Sequence, residues 1–159
     1  MVLFLVSALV LVLLDQYTKY IALTQLKPIY NVTFIEGFMD FTFVENRGAA
    51  FGMLNGARWF FVIVTVLITV GIIYYVAKKI PKDAGREYKA LKFSLMLILA
   101  GAWGNVYDRI FRGYVVDFFE FTFFKYPVFN VADIYVVCGA ILMSVVVLFF
   151  IKDEEDKKE

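Results

Sequence analysis

The chain has 159 residues, 62% of them hydrophobic and 19% aromatic, with a mean hydropathy of +0.74, well above the apolar share of about 45–50% in a soluble globular domain. That balance marks an integral membrane protein, and a formal net charge of +1 with no concentrated basic face argues against a nucleic-acid partner. With one cysteine, Cys138, expected to be buried in an apolar run, and no histidine, neither an intrachain disulfide nor a Cys/His metal site can be assembled. Thiol, imidazole and zinc chemistries lose their usual parts, and neither metal nor cofactor is expected.

The length suits one membrane domain over residues 1–159, a bundle of a few helices with a small extramembrane element. Residues 2–23 are apolar apart from Asp15, Lys19 and a few uncharged polar groups, long enough for a first span. A cleaved signal peptide is disfavoured, because no basic residue precedes the run and no small-x-small site follows it. Residues 29–45 are rich in β-branched and aromatic side chains on either side of Glu36 and Gly37, which predicts a β-hairpin at a membrane surface. Residues 58–77 form the clearest span, flanked by Trp59 and by Tyr74 and Tyr75 as interface anchors.

Lys78, Lys79, Lys82, Arg86, Lys89 and Lys92 then read as a basic loop around Pro81 and Gly85, followed by a third span over 92–111. Residues 115–124 are aromatic but broken by Asp117, Glu120 and Thr122, a pattern for a strand or loop at the surface. A fourth span covers 132–151, and the tail from Lys152 to Glu159 is a solvated charge run. The expected fold is thus four transmembrane helices with a small β element and an extended loop.

The basic loop between the second and third spans belongs on the cytoplasmic side. Both termini are then cytoplasmic, and the hairpin and the 113–129 connection lie outside. Asp15, about 20 Å up the first helix at 1.5 Å per residue, would meet the end of the third helix and the start of the fourth near the outer boundary.

Polar groups that persist in hydrocarbon usually line a wet site. Asn105, Asp108, Arg109 and Arg112 fall at i, i+3, i+4 and i+7, on one helical face. Arg109 and Arg112 can reach headgroups by extending along the helix, whereas Asn105 and Asp108 are too short to do so. Asp15 and Lys19 stand at i and i+4, where mutual neutralisation is a sufficient explanation and contact with a site the alternative. Asn130 and Asp133 match an N-cap and N3 pair.

Asp117, among Val115, Val116, Phe118 and Phe119, has no salt-bridge partner evident in sequence, so its pKa should be raised and it should hold any shared proton. Two carboxyls in unlike settings suit general acid and base work on an amide. Asn46, Arg47, Gly48, Ala49, Ala50, Phe51 and Gly52 form a small-residue turn suited to a bound peptide, or simply a loop into the second span. A serine–lysine arrangement is disfavoured, since Ser7, Ser94 and Ser144 all lie far from Lys19. A small proton-coupled transporter relaying through Asp15 and Asp108 is the alternative from another class.

At these residues the chain resembles the lipoprotein signal peptidases of bacteria (signal peptidase II), aspartic endopeptidases of the inner membrane. The resemblance runs through Asp15-Gln16 with Lys19, the block from Asn46 to Gly52, Gly104-Asn105 with Asp108-Arg109, Gly113 with Val115-Val116-Asp117-Phe118, and Phe129-Asn130 with Ala132-Asp133. It implies that Asp117 and Asp133 are the catalytic pair and that Asp15, Lys19, Asn46, Gly48, Asn105, Asp108, Arg109 and Asn130 shape or support the site. It also implies four spans with a periplasmic β-cradle, and a substrate: a prolipoprotein cut just before its diacylglyceryl-modified cysteine.

Overall fold

The computed structural model describes residues 1–48, 56–81 and 85–151. The charged tail from Lys152 and the second half of the Asn46–Gly52 turn lie outside the described residues. Four helices are long and apolar enough to cross a membrane: α1 (Val2–Ile21), α2 (Arg58–Lys78), α3 (Arg86–Phe111) and α4 (Val131–Phe149). One antiparallel sheet in the order β1-β2-β3 joins them, built from β1 (Asn31–Ile35), β2 (Met39–Asn46) and β3 (Val115–Phe121).

The four predicted spans are each present, and the third is longer than hydropathy indicates, because α3 begins at Arg86. Arg86, Lys89 and Lys92 therefore belong to the first turns of a helix rather than to a loop. Hydropathy reports where a helix can enter hydrocarbon, whereas arginine and lysine are good helix formers that extend it into water.

α1 passes at its end into a π-helical turn, Ala22–Leu26, closed by Lys27 N donating to Ala22 O at 2.8 Å. The wider turn aims Ala22 and Leu26 at the sheet, where they are buried with Phe43, Val116 and Phe118. This small core presses β3 against the bundle. Residues 115–118 are consequently buried, where the sequence pattern predicts a surface strand. Alternation of polar and apolar residues identifies a strand, but only its neighbours decide whether both faces are covered.

A larger core lies further along the bundle, with Phe4, Ala8, Ile72, Val76, Leu95, Leu99 and Val146 among its members. The outer surfaces of the helices remain strongly apolar: Leu3, Leu148 and Phe149 are 79%, 74% and 75% exposed, as surfaces solvated by lipid must be. α2 packs chiefly on α3 and is pinned there by Trp103 Nε1 donating to Thr69 Oγ1 at 2.9 Å.

α3 and α4 make the closest pairing, and glycine permits it. A Cβ at Gly101 would collide with the backbone carbonyl of Ala132, and one at Gly104 would lie 3.1 Å from Ala132 Cβ on α4 and 2.5 Å from Asp15 Oδ2 on α1. Such small-residue contacts let membrane helices approach without a hydrophobic driving force. α3 is followed by Gly113, whose φ of +81° and N–H bond to Asp108 O at 3.1 Å turn the chain directly into β3.

Candidate active site

The first turn of α4 is a capping box. Asn130 Oδ1 accepts from Asp133 N at 3.0 Å, and Asp133 Oδ2 accepts from Asn130 N at 3.2 Å. The cap thus does two things at once: it satisfies helix donors that would otherwise be orphaned, and it holds the Asp133 carboxylate at the mouth of the helix.

β3 brings in the second carboxyl. Its pairing with β2 sets Asp117 opposite Val44 and Val115 opposite Asn46, so that Asn46 Nδ2 donates to Asp117 Oδ2 at 3.0 Å. Asn130 Nδ2 donates to Asp117 Oδ1 at 2.6 Å. Asn130 therefore bridges the pair, with its backbone N–H on Asp133 and its side chain on Asp117. Asp117 is 2% exposed. Burial first, and then the charge of Asp133, push its pKa up to about 7 against the opposing hydrogen bonds from Asn46 and Asn130.

Three amides face these carboxyls, and each meets a donor at its oxygen end. Asn46 Oδ1 accepts from Gly48 N at 2.9 Å, and Asn130 Oδ1 accepts from Asp133 N. Asn105 Oδ1 accepts from Lys19 Nζ at 2.9 Å and from Asn130 Nδ2 at 3.1 Å. With the oxygen so held, each NH2 must turn to a carboxyl, and Asn105 Nδ2 reaches Asp133 Oδ1 at 2.7 Å. Asp117 and Asp133 accordingly accept N–H donors from all three asparagines.

Behind the asparagines lies a buried charge cluster. Lys19 Nζ contacts Asp15 Oδ2 at 2.9 Å and Asp108 Oδ2 at 3.1 Å, and all three side chains are fully buried. Asp15 Oδ1 accepts from Ala132 N at 2.9 Å, which ties α1 to the start of α4. Asp108 Oδ2 accepts from Val116 N at 3.0 Å, which ties α3 to β3, and Asp108 Oδ1 pairs with Arg112. Gln16 completes the cluster, donating to Gly104 O at 3.0 Å and accepting from Arg112 at 2.7 Å. Two acids and two bases leave this cluster without net charge, the condition for burying it at tolerable cost.

Arg109 is set apart. It donates to Gly48 O at 3.0 Å and lies over the Phe61 ring, 4.4 Å from its centroid. It therefore ties the turn after β2 to the bundle instead of extending to headgroups. Asn46, Asn105, Arg109, Asp117 and Asp133 line a cavity of about 320 Å³ whose far wall is Tyr126, Pro127, Val128 and Phe129.

All ten residues singled out from the sequence meet in this region. Gln16 and Gly101 were missed as individual residues; neither carries a charge, and their roles depend on which helix lies opposite. Cys138 corrects the expectation of burial: it is exposed, on a helix face left uncovered by the bundle. Ser94 and Ser144 donate to carbonyls of their own helices and take no part. Among the described residues no three His, Cys, Asp or Glu side chains are grouped to hold a metal ion.

Residues 7–149 match the family model described as signal peptidase (SPase) II. The lipoprotein signal peptidase of Caldanaerobacter subterraneus subsp. tengcongensis is 46% identical over 138 residues, 87% of this chain and 90% of the relative. That of Clostridium acetobutylicum is 43% identical over 151 residues, 93% of this chain and 92% of the relative. A bacterial membrane enzyme solved by the in meso method at 2.3 Å superposes with a TM-score of 0.81 at 34% identity, covering 93% of this chain and 88% of that one. A second, at 1.9 Å, gives 0.79 at 34% identity, covering 95% and 96%.

Proposed function

The chain belongs to the signal peptidase II family, and from that premise we propose that Asp117 and Asp133 are the catalytic dyad with which it removes signal peptides from lipoproteins. As an aspartic peptidase it splits an amide with water. Asp133, open to the cavity, acts as the base and takes a proton from the attacking water, while Asp117 supplies its proton to the scissile carbonyl oxygen. On collapse of the tetrahedral intermediate Asp133 gives its proton to the leaving amine while Asp117 takes one back from a hydroxyl of the intermediate, so the pair ends with one shared proton, as it began.

The observation that carries this reading is the joint placement of both carboxyls on one cavity, bridged by Asn130, with burial raising the Asp117 pKa to about 7. The remaining members of the sequence-derived set support the pair: Asn46, Asn105 and Asn130 donate to it, Gly48 and Arg109 hold the turn beside Asn46, and Asp15, Lys19 and Asp108 anchor the asparagine layer from behind.

The substrate we infer is a prolipoprotein whose cysteine already carries diacylglyceryl, cut on the amino side of that cysteine. The enzyme is a multi-pass protein of the bacterial cytoplasmic membrane, with both termini in the cytoplasm and the dyad at the outer face, since the lysine and arginine excess runs from the end of α2 through the connection into the first turns of α3. The transporter alternative loses its support, because the buried ionisable side chains among the described residues, Asp15, Lys19, Asp108 and Asp117, all belong to the dyad and its backing cluster.

The test is cleavage of a diacylglyceryl-modified prolipoprotein by purified protein. Asp117→Asn and Asp133→Asn should each abolish turnover while the protein stays folded. Cleavage near the wild-type rate by either variant would remove that residue from the dyad.

A further inference from the structure

We propose that Lys19 is a positioning residue for the reaction, acting through Asn105: it locks the Asn105 amide so that Asp133 always faces an N–H and never a carbonyl. The proposal rests on the dyad reading given above. An ammonium group has three donors and no acceptor, and those of Lys19 are fully committed, to Asp15 Oδ2, Asp108 Oδ2 and Asn105 Oδ1 at 2.9, 3.1 and 2.9 Å. A flipped Asn105 would turn its NH2 against that ammonium; Asn130 Nδ2 donates to the same oxygen at the longer distance of 3.1 Å, and being neutral and shared with Asp117 Oδ1 at 2.6 Å it is the weaker hold of the two.

The lock matters at one moment of the cycle. While Asp133 is ionised, its own charge keeps the Asn105 NH2 turned toward it at 2.7 Å. Once Asp133 has taken the proton from water, that preference reverses, because a carboxylic O–H at the same position donates best to an amide oxygen. A free amide would flip, accept that O–H and hold the proton on Asp133, stalling its return to the leaving amine. Lys19 cannot make the matching change: it stays a donor whatever the dyad does. Asn46 and Asn130 need no such lock, because backbone N–H groups orient them.

The charged groups facing this layer are Asp15 and Lys19 from α1, Asp108, Arg109 and Arg112 from α3, Asp117 from β3 and Asp133 from α4. Removing Lys19 alone strands Asp15 and leaves the buried cluster with a net negative charge, so the test removes one charge of each sign. Asp15→Asn with Lys19→Met leaves Asp108 paired to Arg112 and the net charge unchanged. Asp15→Asn with Lys19→Gln restores a neutral N–H donor near Asn105 Oδ1. For each, thermal unfolding in detergent, kcat, KM and the pH profile of cleavage are measured beside wild type and Asp133→Asn.

The methionine variant should fold and keep KM within about twofold. Its kcat should fall by about tenfold to a hundredfold, the scale of one hydrogen bond to a charged group, and the acid limb of its profile should move to higher pH. The glutamine variant should recover most of kcat and return the limb. A folded methionine variant with the wild-type kcat and profile, a loss confined to KM, or equal loss in both variants would overturn the proposal, as would failure of both to fold, which would make Lys19 a packing element. Residual cleavage by Asp133→Asn would instead overturn the dyad, independently of Lys19.

Discussion

Asn46→Leu should move the alkaline limb of activity to higher pH, a direction opposite to ordinary damage. In the proposed mechanism the reaction requires a proton on Asp117, whose pKa is pushed up to about 7. Below that value the proton is present; above it, kcat/KM, which reports the free enzyme, should fall tenfold per pH unit. Asn46 donates to the Asp117 carboxylate at 3.0 Å and so favours the ionised form. Leucine has the same branched side chain of four heavy atoms, bulkier by its methyl groups, and no donor. Losing one hydrogen bond to a charged acceptor costs that form about 1.5–3 kcal/mol, and at 1.36 kcal/mol per unit the limb should rise by about one to two pH units. The bond from Asn130 at 2.6 Å remains, so the carboxyl stays in place. The assay is steady-state cleavage of a diacylglyceryl-modified peptide in mixed micelles from about pH 5 to 10, read as the macroscopic constants of the pair. A limb that stays put or moves to lower pH in folded Asn46→Leu would refute the assignment of the proton to Asp117.

Gly101→Ala should lower the thermal midpoint more than Gly104→Ala, because its methyl meets the carbonyl of Ala132 whereas that of Gly104 meets a side chain; overpacking of this kind costs about 1–3 kcal/mol, and a Gly101→Ala protein as stable as wild type would contradict the close α3–α4 contact. Gly104→Ala should lose activity beyond its stability loss, since Asp15 must leave Ala132 N; full activity in the folded variant would deny Asp15 a role in placing α4. Cleavage should be indifferent to chelators, and loss restored by a divalent cation would sink the metal-free mechanism. In a Cys138→Ala background, a cysteine at Lys125 should react with an impermeant reagent in intact cells and one at Lys79 should not; the reverse pattern would invert the orientation.

Span positions and the hairpin were legible in the chain, and a strand or loop around Asp117 with them, because hydropathy, charge and alternation are properties of short stretches that no distant neighbour has to complete; the proposed pairing of Asp117 with Asp133 came from the family resemblance. The capping box at Asn130 and Asp133 is equally local, and so is the Asp15–Lys19 pair one helical turn apart. What required the tertiary structure was every choice of partner across elements. Nothing near Lys19 in sequence indicates that its third N–H falls on Asn105, or that Asn46 and Asn130 divide the two oxygens of Asp117. The burial of β3, the exposure of Cys138 and the contributions of Gln16 and Gly101 belong to the same class. Each depends on how closely α3 and α4 approach and on where the π-helical turn after α1 presses the sheet. Those distances decide which donor reaches which acceptor, and a hydrogen bond is lost within less than an ångström of misplacement.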